Sequence, residues 1–399
     1  MRILFVTVCY SIHTARWIGQ LQDEPWDIHL FPADGHLHNL HPDLRGITVH
    51  AFFRGDACHA HASVRQAGVP WPIPLLRGKG LVRDLLEAMP GDSMSEAARL
   101  ARVVRAFKPD IVHSMEVTGG VLALAARERL DGHFPPWVHS SWGSDLFYFG
   151  NQPEYSRRVR RMMGSCDYLM ADCQRELDLA PSFGFTGKTL GVFPAAGGYR
   201  IEHMRLYRSE QPPSARRRIM LKGRQDEMGG RALVALQALH ACANELADYE
   251  IAIYNPQDVV AHAARYVTQV TGLRIRLIPR RSPHEEMIRL MGSARVAIGV
   301  GMTDGTPQAM LEAMVMGALP IQSDTADTRG WIEDGRNGLV VPPEDAEAIA
   351  DAIRTAVLDD RLVNNASAIN ARLTNERIDI GILGPKVVGL YRNIQGGHW

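Results

Sequence analysis

Short, almost wholly apolar runs alternate with longer amphipathic stretches along most of this chain. In the first half the apolar runs are Ile3–Val8, Ile28–Phe31, Ile47–Ala51, Asp110–His113, Trp137–Ser140, Tyr168–Ala171 and Thr189–Phe193. Apolar residues at consecutive rather than alternate positions predict strands buried on both faces, as in a parallel sheet. Between them, Ala15–Leu21, Ser95–Phe107, Gly120–Arg129 and Tyr155–Met163 predict helices. The stretch Arg205–Arg217, RLYRSEQPPSARR, places two prolines among charges and reads as a linker. The alternation then restarts. Strands are expected at Ile219–Lys222, Glu250–Asn255, Arg274–Pro279, Arg295–Val300 and Leu319–Gln322. Helices are expected at Gly230–Leu246, Val259–Thr271, Pro283–Met291 and Pro307–Met316, and a last one from Pro385 to Ile394.

This order predicts an α/β protein of two doubly wound domains. The expected bounds are 1–204, a linker at 205–217, a second domain at 218–375, and a C-terminal helical segment at 376–399 able to pack back on the first domain. Doubly wound sheets bind ligands beyond the C-terminal ends of their strands, so the site is expected in a cleft that both domains face. The segment from His36 to Pro90 breaks the pattern, and its WPIPLLRGKG piece cannot be helical. It reads either as a surface loop or as part of a binding site.

Composition narrows the function classes. The chain is 46% hydrophobic and 22% charged, as ordinary globular proteins are. Lys+Arg and Asp+Glu both number 44, so no net field favours nucleic acid as a partner. No stretch approaches the roughly 20 apolar residues of a membrane span. The opening MRILFVTVCY runs into Ser11, His13 and Arg16, which fits a first strand better than a signal peptide. The five cysteines, Cys9, Cys58, Cys166, Cys173 and Cys242, form no CxxC pair, which argues against a zinc or redox motif and for free thiols in a reducing cytoplasm. The basic run Arg157–Arg161 (RRVRR) reads either as a solvated helix face or as a peripheral contact with anionic lipid at the inner membrane face.

The chemistry concentrates in VAIGVGMTDGTPQAMLEAMVMGALPIQSD, residues 296–324. A strand ends at Val300, Gly301 and Gly305 permit a tight turn, and Thr306 as N-cap with Pro307 at the first helical position opens a helix that Gly317 stops. A helix N-terminus aimed at the cleft offers unpaired N–H groups and a positive dipole end to a phosphate. Asp304 sits in the turn and Glu312 on the helix, where carboxylates accept hydrogen bonds from sugar hydroxyls. A capped strand–turn–helix with a surface Glu has the same pattern without any ligand.

The longer run DGTPQAMLEAMVMGALPIQSDTADTRGWIEDGRNGLVVPPED resembles the C-terminal signature of family 4 retaining glycosyltransferases, which have the GT-B fold of two Rossmann-like domains. That family usually carries two Glu residues separated by seven others; here Asp304 stands in the first position and Glu312 in the second. The resemblance implies that Asp304 meets the transferred sugar and Glu312 the ribose. It likewise implies that the Gly305–Thr306–Pro307 backbone meets the diphosphate of a nucleotide-sugar donor, UDP- or GDP-linked. It further implies a metal-free reaction with no resident cofactor, in which cations stabilise the leaving diphosphate. Among Lys222, Arg224 and Arg231 in IMLKGRQDEMGGRALVAL, Lys222 with Arg231 is the favoured pair and Arg224 the reserve.

First-domain candidates lie at predicted strand ends. His13 and Arg16 follow the first strand, and His113 and Glu116 end the strand in PDIVHSMEVTGG. In PPWVHSSWGSDLFYFG, Trp142 stands where relatives carry a His, and Asp145 matches the family's acid. Gly197 and Gly198 in PAAGGYR match a loop that approaches the donor, or else simply turn the chain. The resulting expectation is a retaining transferase acting on a glycan, lipid-linked or small-molecule acceptor. Its rivals are a nucleotide-sugar epimerase of the same architecture and a non-catalytic sugar-nucleotide-binding protein. The absence of a GxGxxG after the first strand argues against a dehydrogenase.

Overall fold

A computed structural model describes residues 1–34, 40–53, 61–69, 95–130, 133–226, 229–279, 282–325 and 327–397. Cys58 and the WPIPLLRGKG piece lie outside these described residues. The chain forms two compact units, one of Met1–Gly198 with Leu383–Trp399, the other of Tyr199–Ile382.

Among the described residues, the first unit is built on eight parallel strands: β1 (Arg2–Thr7), β2 (Asp27–Pro32), β3 (Thr48–Phe53), β4 (Arg65–Val69), β5 (Ile111–Met115), β6 (Trp137–Ser141), β7 (Tyr168–Ala171) and β8 (Lys188–Val192). Their order across the sheet is β4-β3-β2-β1-β5-β6-β7-β8. Its helices are α1 (Ile12–Gly19), α2 (Glu96–Phe107), α3 (Glu116–Arg127), α4 (Pro153–Met163) and α5 (Gln174–Leu179). The continuous apolar runs have a direct cause. Ile3 and Phe5 face a core with Trp17 and Ile18 of α1, whereas Leu4 and Val6 face another with Leu100 and Val104 of α2. Helices on both faces leave no side of β1 for polar residues.

The second unit has six parallel strands: β9 (Arg218–Lys222), β10 (Glu250–Tyr254), β11 (Arg274–Ile278), β12 (Val296–Gly299), β13 (Leu319–Ser323) and β14 (Leu339–Val341), ordered β11-β10-β9-β12-β13-β14. Its helices are α6 (Ile201–Arg205), α7 (Ala232–Ala241), α8 (Asp258–Thr271), α9 (His284–Gly292), α10 (Gln308–Met316), α11 (Ala346–Leu358) and α12 (Asp360–Ile378); α13 (Ile380–Gly396) follows. Here too Ile219 and Leu221 face one core and Met220 the other.

Strand order fixes where ligands can sit. In the first unit the chain moves outward from β1 to β4 and returns beside β1 as β5; in the second, β9 is followed by β10 and β11 on one side and by β12 on the other. The loops leaving the two central strands therefore diverge, opening a crevice at β1/β5 and another at β9/β12.

Two segments differ from expectation. The residues read as a linker, 205–217, belong to the second unit. Arg216 there is 2% exposed. It donates to the carbonyls of Gln211, Ala294, Met316 and Ser209. Prolines and charges thus mark a tied-down strap. The other difference is β4, RQAGV, which is too polar to be read as a strand and forms the sheet edge, where only one neighbour is needed.

In the first unit, α13 contributes Val387, Leu390, Tyr391 and Ile394 to the same core as Ile3 and Phe5. Trp17 Nε1 donates to the Tyr391 hydroxyl (2.9 Å), which lies 2.6 Å from His113 Nδ1. Tyr391 therefore gives its own proton to Nδ1, leaving Nε2–H of His113 to donate to Ser140 Oγ at 2.7 Å. His113, a candidate acceptor-side residue from the sequence, is a fully buried core histidine with both nitrogens engaged.

This assignment has a pH consequence. Burial, with the nearby His139, pushes His113 down to about 3. Below its unfolded value of about 6.5 the unfolded chain takes up a proton that the folded chain refuses, so the His113 contribution falls as pH drops. The stability advantage of the parent over His113→Gln should shrink by about 1.4 kcal/mol per pH unit between roughly 6 and 4. Denaturant titrations of both proteins across that range measure it, and a constant difference would contradict the buried neutral state.

No helix among the described residues is long and apolar enough to cross a membrane. On α4, Arg160 donates to Ser182 O and stacks 4.7 Å from the Phe183 ring, and Arg161 pairs with Glu128.

Candidate functional site

At the β9/β12 switch point the second unit holds a small pocket. Its walls include Lys222 from the end of β9, Arg224, the Gly229–Gly230 and Gly299–Gly301 backbones, Asp304, and Pro307 and Ala309 at the start of α10. The two glycine segments lie against each other: Gly230 bridges to Gly301, and Met302 N donates to Gly229 O at 2.9 Å. A β-carbon on Gly230 would fall 1.9 Å from the Arg224 carbonyl oxygen. Ser323 and Thr325 hydroxyls both donate to Gly301 O at 2.6 Å, fixing the turn after β12.

Lys222 Nζ lies 3.3 Å from Asp304 Oδ2, so the expected sugar-side acid and one expected cation meet. Arg224 Nε contacts Asp226 Oδ2 at 2.5 Å, while Asp226 Oδ1 accepts from Gly229 N and Gly230 N. Burial alone would raise Asp226, but the Arg224 hydrogen bond and charge, with those two amides, hold its carboxyl below the usual range. One carboxylate thus shapes the loop and orients the guanidinium. Two cations line the pocket with one acid and a helix N-terminus, whose first N–H groups lack intrahelical partners.

Arg231, of the favoured pair, is not among the pocket's lining residues. It precedes α7 as its N-cap, and its guanidinium donates to Glu344 Oε1 (3.0 Å) and Asp226 O (2.9 Å). Arg224, the reserve, is the arginine that lines the pocket. The start of α10 also differs. Pro307, not Thr306, is the N-cap, and Thr306 Oγ1 instead accepts from Trp331 Nε1 at 3.2 Å. Pro307 lines the pocket, whereas Gly305 and Thr306 are buried and are not among its lining residues.

Glu312, one turn further along α10, is largely buried and pairs with His284 Nε2 at 2.8 Å. The Tyr254 phenol, at the end of β10, is pushed well up by burial and then by the charges of Glu312 and Asp304. The two acids therefore share one neighbourhood with a protonated phenol. His284, Asp226 and Tyr254 were not singled out from the sequence, and only the strand-end position of Tyr254 offered a signal.

In the first unit, His13 and Trp142 meet edge to face, ring centroids 5.4 Å apart, near the β1/β5 switch point. Arg16 is half-buried one turn along α1. Glu116 begins α3 directly after β5, and its backbone has φ 54°, a region that non-glycine residues rarely occupy. Its Oε1 accepts from Gly119 N at 3.1 Å. Burial, then the Asp145 charge, push Glu116 up to about 7, so it holds a proton near neutrality.

Asp145 is 1% exposed, accepts from Trp142 N at 3.3 Å and faces His139 Nε2 at 3.6 Å. It closes the 142–145 turn. Glu176 holds the same loop by accepting from Ser141 Oγ, Leu146 N and Phe147 N. Gly197 and Gly198 are buried on α1's end. Gly197 has φ 66°, its added β-carbon would meet the Gln20 amide at 2.4 Å, and Gly198 N donates to Gln20 Oε1. Packing against Gln20 accounts for this turn without a donor.

Similarity to known proteins agrees with this geometry. Residues 217–359 match the family described as glycosyl transferases group 1, and residues 86–172 match the glycosyl transferase 4-like family. No curated protein matches the chain in sequence. Among solved structures, sucrose-phosphate synthase from Thermosynechococcus elongatus superposes with a TM-score of 0.67 at 15% identity, covering 100% of both chains. Anabaena HepE in complex with UDP-glucose gives 0.70 at 12% identity, covering 98% of this chain and 100% of that one. Trehalose 6-phosphate synthase from Burkholderia multivorans gives 0.69 at 14% identity, with 100% and 99% covered. Such identities establish shared fold, while the family matches establish the class. The chain is a glycosyltransferase of the GT-B fold whose residues 217–359 form a group 1 domain, and the β9/β12 pocket lies in that domain.

Proposed function

We propose that this glycosyltransferase moves a sugar from a nucleoside diphosphate sugar to a hydroxyl of a glycan, lipid-linked or small-molecule acceptor, with retention and without a resident metal. The observation that carries the reading is the pocket in which Lys222, Arg224 and the start of α10 converge with Asp304. A uridine donor is favoured over a guanosine one because HepE, of the same fold, was solved with UDP-glucose.

In this scheme the diphosphate sits against Lys222, Arg224 and the first N–H groups of α10. The bond from the anomeric carbon to the phosphate oxygen breaks, and charge grows on that oxygen where the two cations lie. The acceptor oxygen bonds to the anomeric carbon on the same face and passes its proton to the departing phosphate. Asp304, 3.3 Å from the Lys222 ammonium, receives sugar hydroxyls, and Glu312 the ribose. The first unit supplies the acceptor side, with Glu116, His13 and Trp142 its foremost groups.

Incubation with UDP-glucose and other nucleotide sugars, with anomeric configuration followed by proton NMR, tests the scheme. The product should keep the donor's configuration, and excess EDTA should leave the rate unchanged. An inverted product, or a rate abolished by EDTA and restored by a divalent ion, would contradict it.

A further inference from the structure

We infer that Gln322 is a specificity-determining residue of the β9/β12 pocket, its side-chain amide hydrogen-bonding a hydroxyl of the transferred sugar. The inference rests on the reading that the donor's diphosphate lies against Lys222 and Arg224 in that pocket. Gln322 is the penultimate residue of β13, is 4% exposed, and lines the pocket together with those two cations. Among the described residues, none forms a hydrogen bond with its side-chain amide. Holding a buried amide unpaired costs stability, so a polar group entering the pocket gains the bonds that the fold leaves unmade.

Strand register places the amide. Met220 pairs with Ala297 and Gly299 with Gln322, so Lys222, Gly299 and Gln322 share one row across the C-terminal ends of β9, β12 and β13. Gly299 interrupts that row, and the Gln322 amide fills the gap: a β-carbon added to Gly299 would fall 2.2 Å from Oε1 and 2.6 Å from Nε2. Gly299 is not among the glycines of positive φ, so what glycine supplies here is space. An amide offers two donors and an acceptor oxygen, which matches a hydroxyl that both accepts and donates. A phosphate oxygen of the donor only accepts, and Lys222 and Arg224 already answer it. The neutral Gln322 therefore serves the sugar that the diphosphate carries.

The test measures binding of uridine diphosphate and UDP-glucose by calorimetry, using whichever nucleotide and nucleotide sugar the protein prefers if these differ. Gln322→Met keeps the length of the side chain and removes its hydrogen bonds. It should weaken UDP-glucose about tenfold and leave uridine diphosphate unchanged. Gly299→Ala displaces the amide and should do the same, yet add no further loss to Gln322→Ala, where the new methyl has nothing to push aside. Among monodeoxy analogues of the sugar, the parent's preference for UDP-glucose over one of them should vanish in Gln322→Met.

Equal weakening of both compounds by Gln322→Met would put the amide on the diphosphate and overturn the sugar assignment. Unchanged binding of both, with additive losses from Gly299→Ala and Gln322→Ala, would make Gln322 a packing residue only. The Lys222→Ala/Arg224→Ala variant separates the inference from the reading beneath it. If that variant loses uridine diphosphate while Gln322→Met keeps the parent's ratio of the two affinities, the inference is wrong and the donor pocket stands. If that variant binds uridine diphosphate as the parent does, the donor pocket fails, and the inference with it.

Discussion

Replacing Lys222 and Arg224 together by alanine should lower kcat by on the order of 10³-fold while raising donor KM far less. Removing one preorganised donor at a developing oxyanion costs roughly 10²–10³ in turnover, and two that act on the same diphosphate are not additive. The structure gives this pair its weight: both line the pocket beside Asp304 and the start of α10. Arg231→Ala should have a small effect, because its guanidinium is held by Glu344 and the Asp226 carbonyl. Steady-state kinetics that resolve kcat from donor KM decide the matter. A loss confined to KM would mean that the two cations hold the ground state and do not act on the departing charge.

The largest effect on stability is expected at Arg216. Its guanidinium donates to four carbonyls and ties the 205–217 segment to Ala294, just ahead of β12, and to Met316 at the end of α10. Arg216→Ala strips buried carbonyls of donors and leaves a void, at a cost on the order of 3–5 kcal/mol. Arg216→Lys should rescue little of this, since one ammonium cannot span the positions that a planar fork reaches. Hydrogen exchange should show β9, β12 and α10 losing protection together, with the first unit unchanged. Parent-like exchange in the alanine variant would mean that Arg216 merely fills space.

What the chain disclosed on reading, and what it hid, divides along the range of the interactions. The central strands β1, β5, β9 and β12 were legible because helices cover both their faces, which forces consecutive apolar residues. Element edges were less so. Helix α1 begins at Ile12, three residues before the expected Ala15, because the Ser11 hydroxyl accepts from His13 N and caps it. Thr306 looked like a cap by type, yet Trp331, 25 residues on, claims its hydroxyl.

The same rule governs the site. The placement of Asp304 in a turn and Glu312 on the following helix was legible because both lie in one short strand–turn–helix segment. Arg231 is held by Glu344, 113 residues away, a partner that local spacing does not announce. His284 and Asp226 gave no signal, since a His before a helix and an Asp in a Gly-rich loop are ordinary. His113, read as a strand-end candidate, is packed in the core through Tyr391, 278 residues away. Local propensity and spacing carry short-range features, and they are silent on partners that only folding supplies.

The most direct test of the account is a thermal-shift panel of nucleoside diphosphates and their sugars against the parent protein and the Lys222→Ala/Arg224→Ala variant. A ligand at about 100 times its Kd adds roughly 2.7 kcal/mol to the stability of the unit that binds it. The account predicts that uridine diphosphate raises the Tm of the parent and leaves that of the variant nearly unmoved. A shift of equal size in both proteins would place the nucleotide away from the β9/β12 pocket and contradict the assignment.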